Sequence, residues 1–175
     1  MANEVWFTSD THFGHRNILE YEKEARPFET VEEMNEALIS NWNDTVRPKD
    51  IIWHLGDFAF GRSNVELAGR LNGHKRLIMG NHDVYNNSVY MAYFEKLFGV
   101  TYWKRCVLSH IPVHVGNLGS RALLNVHGHL HSNKVMQLPT GWHEDINYFN
   151  VSVEQHNLRP VNSSLIMDRL KEIIK

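Results

Sequence analysis

Apolar residues in this chain come in short runs that stop on polar, chemistry-bearing residues, and their spacing predicts alternating strand and helix through the first half. Residues 5–9 form an apolar, β-prone run that halts at Asp10-Thr11-His12-Phe13-Gly14-His15, which is how a buried strand followed by a loop reads. A short helix is predicted over 17–24, ending ahead of Arg26-Pro27. Thr30 and Glu33 stand at capping-box spacing, and Val31, Met34, Ala37, Leu38 and Trp42 recur at helical period to about Asp44. A turn at 47–50 leads into the run 51–55, which delivers Gly56-Asp57 at its end. Ser63-Asn64 open a helix with Val65, Leu67, Ala68 and Leu71 on its apolar side, and Asn72-Gly73 stop it. Strand 74–79 runs into Gly80-Asn81-His82-Asp83, and a helix over 87–97 carries Tyr90, Phe94 and Leu97.

From Val100 onward the runs are closer together and predict strands over 101–107, 109–112, 123–126, 128–131, 135–138 and 148–153. A terminal helix follows Ser163-Ser164, with Leu165, Ile166, Leu170, Ile173 and Ile174 on its inner side. Alternating β and α followed by a β-rich half predicts one layered α/β domain with two packed sheets and flanking helices. The sequence shows no internal repeat, low-complexity tract or linker composition.

Composition narrows the function classes. A chain of 175 residues buries roughly 70% of its unfolded surface, enough for a core without staples. The net charge of −2 gives no electrostatic footprint for tight nucleic-acid or membrane-surface binding. Cys106 is the single cysteine, so no intrachain disulfide can form. The start lacks the pattern of a signal segment and no apolar stretch reaches membrane-span length, so the expectation is a soluble, cytoplasmic protein. Twelve histidines exceed what packing needs and direct attention to metal sites.

Four clusters carry the candidate chemistry. Asp10-x-His12 offers two ligands two residues apart on a strand-end loop; taken alone, that spacing is common. Gly80-Asn81-His82-Asp83 sets an amide oxygen, an imidazole and a carboxylate after a glycine that permits a tight turn, and a turn capped by Asn81 accounts for it equally well. Gly128-His129-Leu130-His131 places two imidazoles at alternate positions, on one face of a strand or diverging from a turn. His110 is a lone histidine before Ile111-Pro112, and by itself reads as structural.

Together with Gly56-Asp57, and in this order, these motifs resemble those of the calcineurin-like metallophosphoesterase superfamily, and among its members the short bacterial, archaeal and phage phosphoesterases. The resemblance spans Asp10 to His131. It implies a four-layer α/β/β/α sandwich with two mixed β-sheets and a site at the C-terminal ends of the strands. It further implies that Asp10, His12, Asp57 and His131 hold one divalent ion and Asp57, Asn81, His110 and His129 a second, with Asp57 bridging. A nitrogen and oxygen donor set without thiolate suits manganese first, with iron, nickel or zinc also accommodated. The implied reaction is in-line attack of a metal-bridging hydroxide on a phosphoester. His82 is then the residue expected to protonate the leaving oxygen or stabilise the transition state, with Asp83 either orienting its ring or capping the turn.

Departures from the superfamily bear on substrate. Its protein-phosphatase branch follows Gly-Asp with a further aspartate and a phosphate-binding arginine, whereas here Phe58-Ala59-Phe60-Gly61 precede Arg62. Its Mre11-like nuclease branch adds a DNA-binding domain and a basic surface, and the sequence shows neither. The expected substrate is a small phosphodiester, nucleotide-derived ones included, with His15, Arg16, Asn17 and Arg62 as candidate substrate contacts. Phosphomonoester cleavage and nuclease activity are the alternatives on the same site, and a non-catalytic interaction module is a further one. The large aromatic residues Trp6, Phe7, Trp53 and Phe58 are expected in the core.

Overall fold

A computed structural model of the chain describes residues 3–137 and 141–174. Strand β1 (Val5–Thr8) pairs in parallel with β2 (Ile51–His54), β2 with β3 (His74–Ile78), and β3 with β4 (Lys96–Phe98). On its other side β1 pairs antiparallel with β9 (Val161–Asn162), which makes the first sheet mixed. The second sheet runs β5 (Thr101–Trp103), β6 (Cys106–Leu108), β7 (Leu124–His127) and β8 (Tyr148–Asn150). Within it β5 and β6 form an antiparallel hairpin and β6, β7 and β8 are parallel.

Period-two alternation divides the side chains of the first sheet between two apolar clusters. Ile52 and Leu77 join the helical layer: α1 (Ile18–Tyr21), α2 (Val31–Thr45), a 3-10 segment (Arg62–Arg70) and α3 (Asn87–Met91). Phe7, Trp53 and Ile78 point the other way, onto Cys106, Leu108, Leu124 and Val126 of the second sheet and onto Ile166 and Leu170 of α4 (Ser163–Ile174). The result is the expected architecture of two mixed sheets flanked by helices. Thr30 caps α2 as its sequence predicts: the hydroxyl accepts from Glu33 N–H at 3.1 Å, while the Glu33 carboxylate reaches back to Glu29 N–H at 3.1 Å.

Several sequence expectations are corrected. The helix expected over 87–97 stops at Met91, and Lys96–Phe98 instead becomes the fourth parallel strand. The spacing of Tyr90, Phe94 and Leu97 fits a helix, but Phe98 C=O accepts from Met79 N–H at 2.8 Å, satisfying backbone that a helix here would leave beside the open edge of β3. The run 101–107 breaks into the β5–β6 hairpin at Lys104, whose φ is 52°. Residues 109–112 and 128–131 are loops and turns rather than strands. Around 135–138 the pairing reduces to an isolated bridge between Met136 and Glu144, and Leu138 lies outside the described residues. The helix expected from Ser63 onward is a 3-10 helix over Arg62–Arg70, with Leu71 already extended. No helix among the described residues is long and apolar enough to cross a membrane.

Candidate metal centre

The loops leaving neighbouring strands keep pairing after the strands end, which brings distant motifs into one crevice. Asp10 N–H donates to Gly56 O at 2.9 Å, His12 N–H to Asp57 O at 3.1 Å, and Phe13 N–H to Phe58 O at 3.0 Å. In the second sheet Ser109 N–H donates to Val126 O at 3.2 Å and Gly128 N–H to His110 O at 2.9 Å. One side chain ties the two sheets together here, since His110 Nδ1–H donates to Leu55 O at 2.8 Å. The site therefore sits past the carboxyl ends of β1, β2, β3, β6 and β7, where open α/β sheets place ligands.

Bringing the ligands inward takes unusual backbone. Asp10, His12, Asp57, His129 and His131 all have φ between 48° and 69°, a left-handed region costing on the order of 1–2 kcal/mol for a residue with a Cβ. Such a concentration marks a functional site more readily than a packing requirement. Glycine is needed at two neighbouring points. A Cβ on Gly80 would fall 2.2 Å from Asp57 Oδ1, and one on Gly128 would fall 2.4 Å from Asp10 Oδ2.

Two triads result, Asp10–His12–His131 and Asp57–His110–His129, each with its ligand atoms within 4.8 Å of one another. Asp57 Oδ2 lies 3.2 Å from His110 Nε2 and 3.6 Å from His12 Nε2, so a single carboxylate oxygen is within reach of both triads. Asn81 Oδ1 lies 3.0 Å from His110 Nε2 and extends the second group. Asp10 Oδ2 accepts from His129 N–H at 3.0 Å and from the Ser152 hydroxyl at 2.8 Å. All seven side chains that the resemblance assigned to metal thus lie together, three in each triad and Asn81 beside the second.

The donor set fits a pair of divalent cations. His12 is buried and neither of its ring nitrogens has a hydrogen-bond partner, a costly arrangement for an imidazole that binds nothing. His110 and His131 each direct Nδ1 at an oxygen, Leu55 O and Glu154 Oε1 at 2.9 Å, which leaves Nε2 as the ligating atom. Burial pushes His12 well below its ordinary pKa despite the nearby Asp57, so it is a neutral donor. Burial alone would raise Asp57, but the His110 hydrogen bond and charge, with the His82 N–H, hold it well below the carboxylate range.

The remaining candidates divide by position. His82 stands at the mouth, its ring 44% exposed and its Nε2 4.0 Å from Asp57 Oδ2, while its N–H donates to Asp57 Oδ1 at 2.8 Å. Asp83 is a turn cap, the second of the roles weighed for it: its carboxylate accepts from Asp57 N–H (2.8 Å), Phe58 N–H (3.0 Å) and Gly80 N–H (2.9 Å). His15 lies beside the centre, with its ring 5.4 Å from that of His12. Arg16, Asn17 and Arg62 are exposed, and Arg16 and Asn17 line a side cleft with Lys23 and Phe28.

Sequence reasoning missed Arg26, Ser152 and Glu154. Arg26 is fully buried; its guanidinium donates to Asp10 O, to Thr11 O at 3.1 Å and to Glu154 Oε1 at 2.8 Å. Glu154 in turn holds His131 Nδ1, so one carboxylate fixes both the first loop and a ligand ring. The available signal was an acid directly after the buried run 151–153, the same strand-end placement as the ligand motifs.

Comparison with known proteins agrees with this geometry. The family model for calcineurin-like phosphoesterase matches residues 4–167. An uncharacterised protein of Methanocaldococcus jannaschii is 36% identical over 174 residues, covering 97% of this chain and 92% of that protein. The gene 66 protein of Mycobacterium phage L5 is 39% identical over 88 residues, 47% of this chain and 41% of its own. A crystal structure of a protein of unknown function from Aquifex aeolicus superposes with a TM-score of 0.73 at 25% identity, covering 95% of this chain and 99% of that one.

Proposed function

The chain belongs to the calcineurin-like phosphoesterase family and is a metal-dependent phosphoester hydrolase, and from that premise we propose that it cleaves small phosphodiesters, nucleotide-derived ones included, at a pair of manganese ions. The observation that carries this reading is the position of Asp57 Oδ2, 3.2 Å from His110 Nε2 and 3.6 Å from His12 Nε2, between two triads. Asp10, His12, Asp57 and His131 would hold one ion, and Asp57, Asn81, His110 and His129 the other. Bound there, the ions supply Lewis acidity toward water and the phosphoryl oxygens.

The protein's own contribution is placement. Glu154 and Leu55 O fix the His131 and His110 rings through their Nδ1 atoms, so little reorganisation remains for the reaction. Asp83 ties the Gly56-Asp57 loop to Gly80 and so fixes the spacing between Asp57 and Asn81. His82 is the proton donor to the departing alkoxide: its backbone is anchored on Asp57 while its imidazole stays open to the mouth.

The test is to strip the protein of metal, titrate manganese back, and follow bis-p-nitrophenyl phosphate and p-nitrophenyl phosphate. Diester turnover that rises with manganese and exceeds monoester turnover is expected. Protein that takes up two ions yet cleaves neither ester would sink the reading.

A further inference from the structure

Beside the metal-binding residues, four rings rise from the buried centre to the surface. The ring of His15 lies 5.4 Å from that of His12, 6.4 Å from His82, 6.4 Å from Tyr21 and 4.5 Å, edge-on, from Phe60. Phe60 lies 6.2 Å from His82. Two of these rings are apolar groups left in water, Phe60 at 48% exposure and Tyr21 at 71%. Scattered exposed apolar residues need no explanation, but Phe60 lies within a ring's reach of His82, the residue proposed to meet the leaving group, and Tyr21 borders His15, which lies between them and the buried centre.

The support under Phe60 is rigid. Its N–H donates to Phe13 O at 2.8 Å, and its carbonyl accepts from Asn64 Nδ2 at 2.7 Å. Gly14, with φ of 80°, packs so closely there that a Cβ would lie 2.9 Å from Phe60 O. An aromatic side chain on fixed backbone, half in water and edge-on to a second ring, is preorganised to receive a flat partner without first losing much conformational freedom. Core packing would have turned the ring inward, as it does for Phe13 and Phe58 on either side of the same loop contact.

We propose that Phe60, with His15 and Tyr21, forms an aromatic shelf that stacks on the nucleobase of a nucleotide-derived phosphoester whose phosphate lies at the Asp57–His82 end. The inference rests on the phosphoesterase reading above and adds the recognition element for the substrate's organic part. Base–aromatic stacking tolerates any base because each offers a π-face, so the shelf selects nucleotides over alkyl phosphates while discriminating weakly among bases.

The test compares binding of adenosine 5′-monophosphate and ribose 5-phosphate, which share the phosphate and sugar and differ in the base, by calorimetry on the manganese-loaded protein. The wild type should bind the nucleotide roughly tenfold more tightly. Phe60→Ala should bring that ratio close to one, and Phe60→Trp should keep it. Equal affinity of the wild type for both ligands, binding of neither, or a ratio unmoved by Phe60→Ala would overturn the shelf, whatever the hydrolase assay shows. A base preference that Phe60→Ala abolishes, in protein inert toward diesters, would keep the shelf and overturn the proposed reaction.

Discussion

At the scale of single residues, the structure separates groups that touch both triads from those that serve one. Asp57 is the shared wall, so Asp57→Asn should lower kcat on the order of a hundred- to a thousandfold and reduce the bound manganese from two ions toward one, as read by elemental analysis. His82→Ala is expected to behave differently: both ions stay and turnover falls by roughly 10²-fold or more, because the His82 ring is exposed while its backbone does the holding. Glu154→Gln keeps the shape and hydrogen-bond capacity facing Arg26 and His131 but removes the charge. It should weaken manganese binding by roughly 10-fold or more in a chelator competition. The ligand-type residues were legible in the sequence because each ends an apolar run and carries a recognisable neighbour, as in Asp10-x-His12 or Gly128-His129-x-His131. Arg26 and Glu154 were not, because their roles exist only once residues 128 positions apart meet inside the fold.

At the scale of elements, the same pattern of legibility has a physical basis. Helix α2 was readable nearly to its last residue because its cap and its apolar stripe are local. Strand β4 was misread because it is held by pairing with β3 and by little of its own sequence. The segments 109–112 and 128–131 look like strands in composition; what bends the second is the left-handed backbone that the ligand histidines adopt at 129 and 131, while the first turns where the Ser109 hydroxyl donates to Ile111 O at 2.8 Å. The far end of β2 has a comparable local anchor in Asp50, which accepts from Glu4 N–H (2.9 Å), Arg47 N–H (3.0 Å) and Trp6 Nε1 (3.2 Å). Burial would raise its pKa, but hydrogen bonds from the Arg47 side chain and the Glu4 and Arg47 backbones outweigh it and hold the carboxyl at about 2. A depressed carboxyl stabilises the fold above its unfolded pKa and loses that contribution as pH falls from about 4 to about 2. Allowing for screening at the half-exposed Arg47, the contribution is on the order of 1–2 kcal/mol. In metal-free buffer, Asp50→Asn should therefore unfold at lower urea than the wild type at pH 7, and the gap should narrow steadily from pH 4 downward. A gap of constant size across that range would mean that the charge on Asp50 contributes nothing.

At the scale of the molecule, the candidate metal centre is also a joint between the sheets. Asp10, His12, Asp57 and Asn81 follow strands of the first sheet, His110, His129 and His131 follow strands of the second. Protein-only contacts across this seam include the Ser9–Ser152 bridge, the Ser152 hydroxyl on Asp10 and His110 Nδ1 on Leu55 O. Ions bound by both sheets would favour the folded state by an amount that grows with the logarithm of free metal concentration over Kd. At a free concentration about 100 times Kd, each site adds roughly 2.7 kcal/mol, and two sites in a domain of this size should raise Tm by roughly 10–20 °C over chelated protein. Because Asp57 serves both groups, Asp57→Asn should lose more than half of that metal-induced shift, whereas His82→Ala should keep all of it. Thermal melts of the three proteins with manganese and with chelator separate the cases. If chelation left the wild-type Tm where it was, the ions would not be what closes the seam, and the buried hydrogen bonds of Ser152 and His110, with the apolar cluster between the sheets, would hold them together without metal.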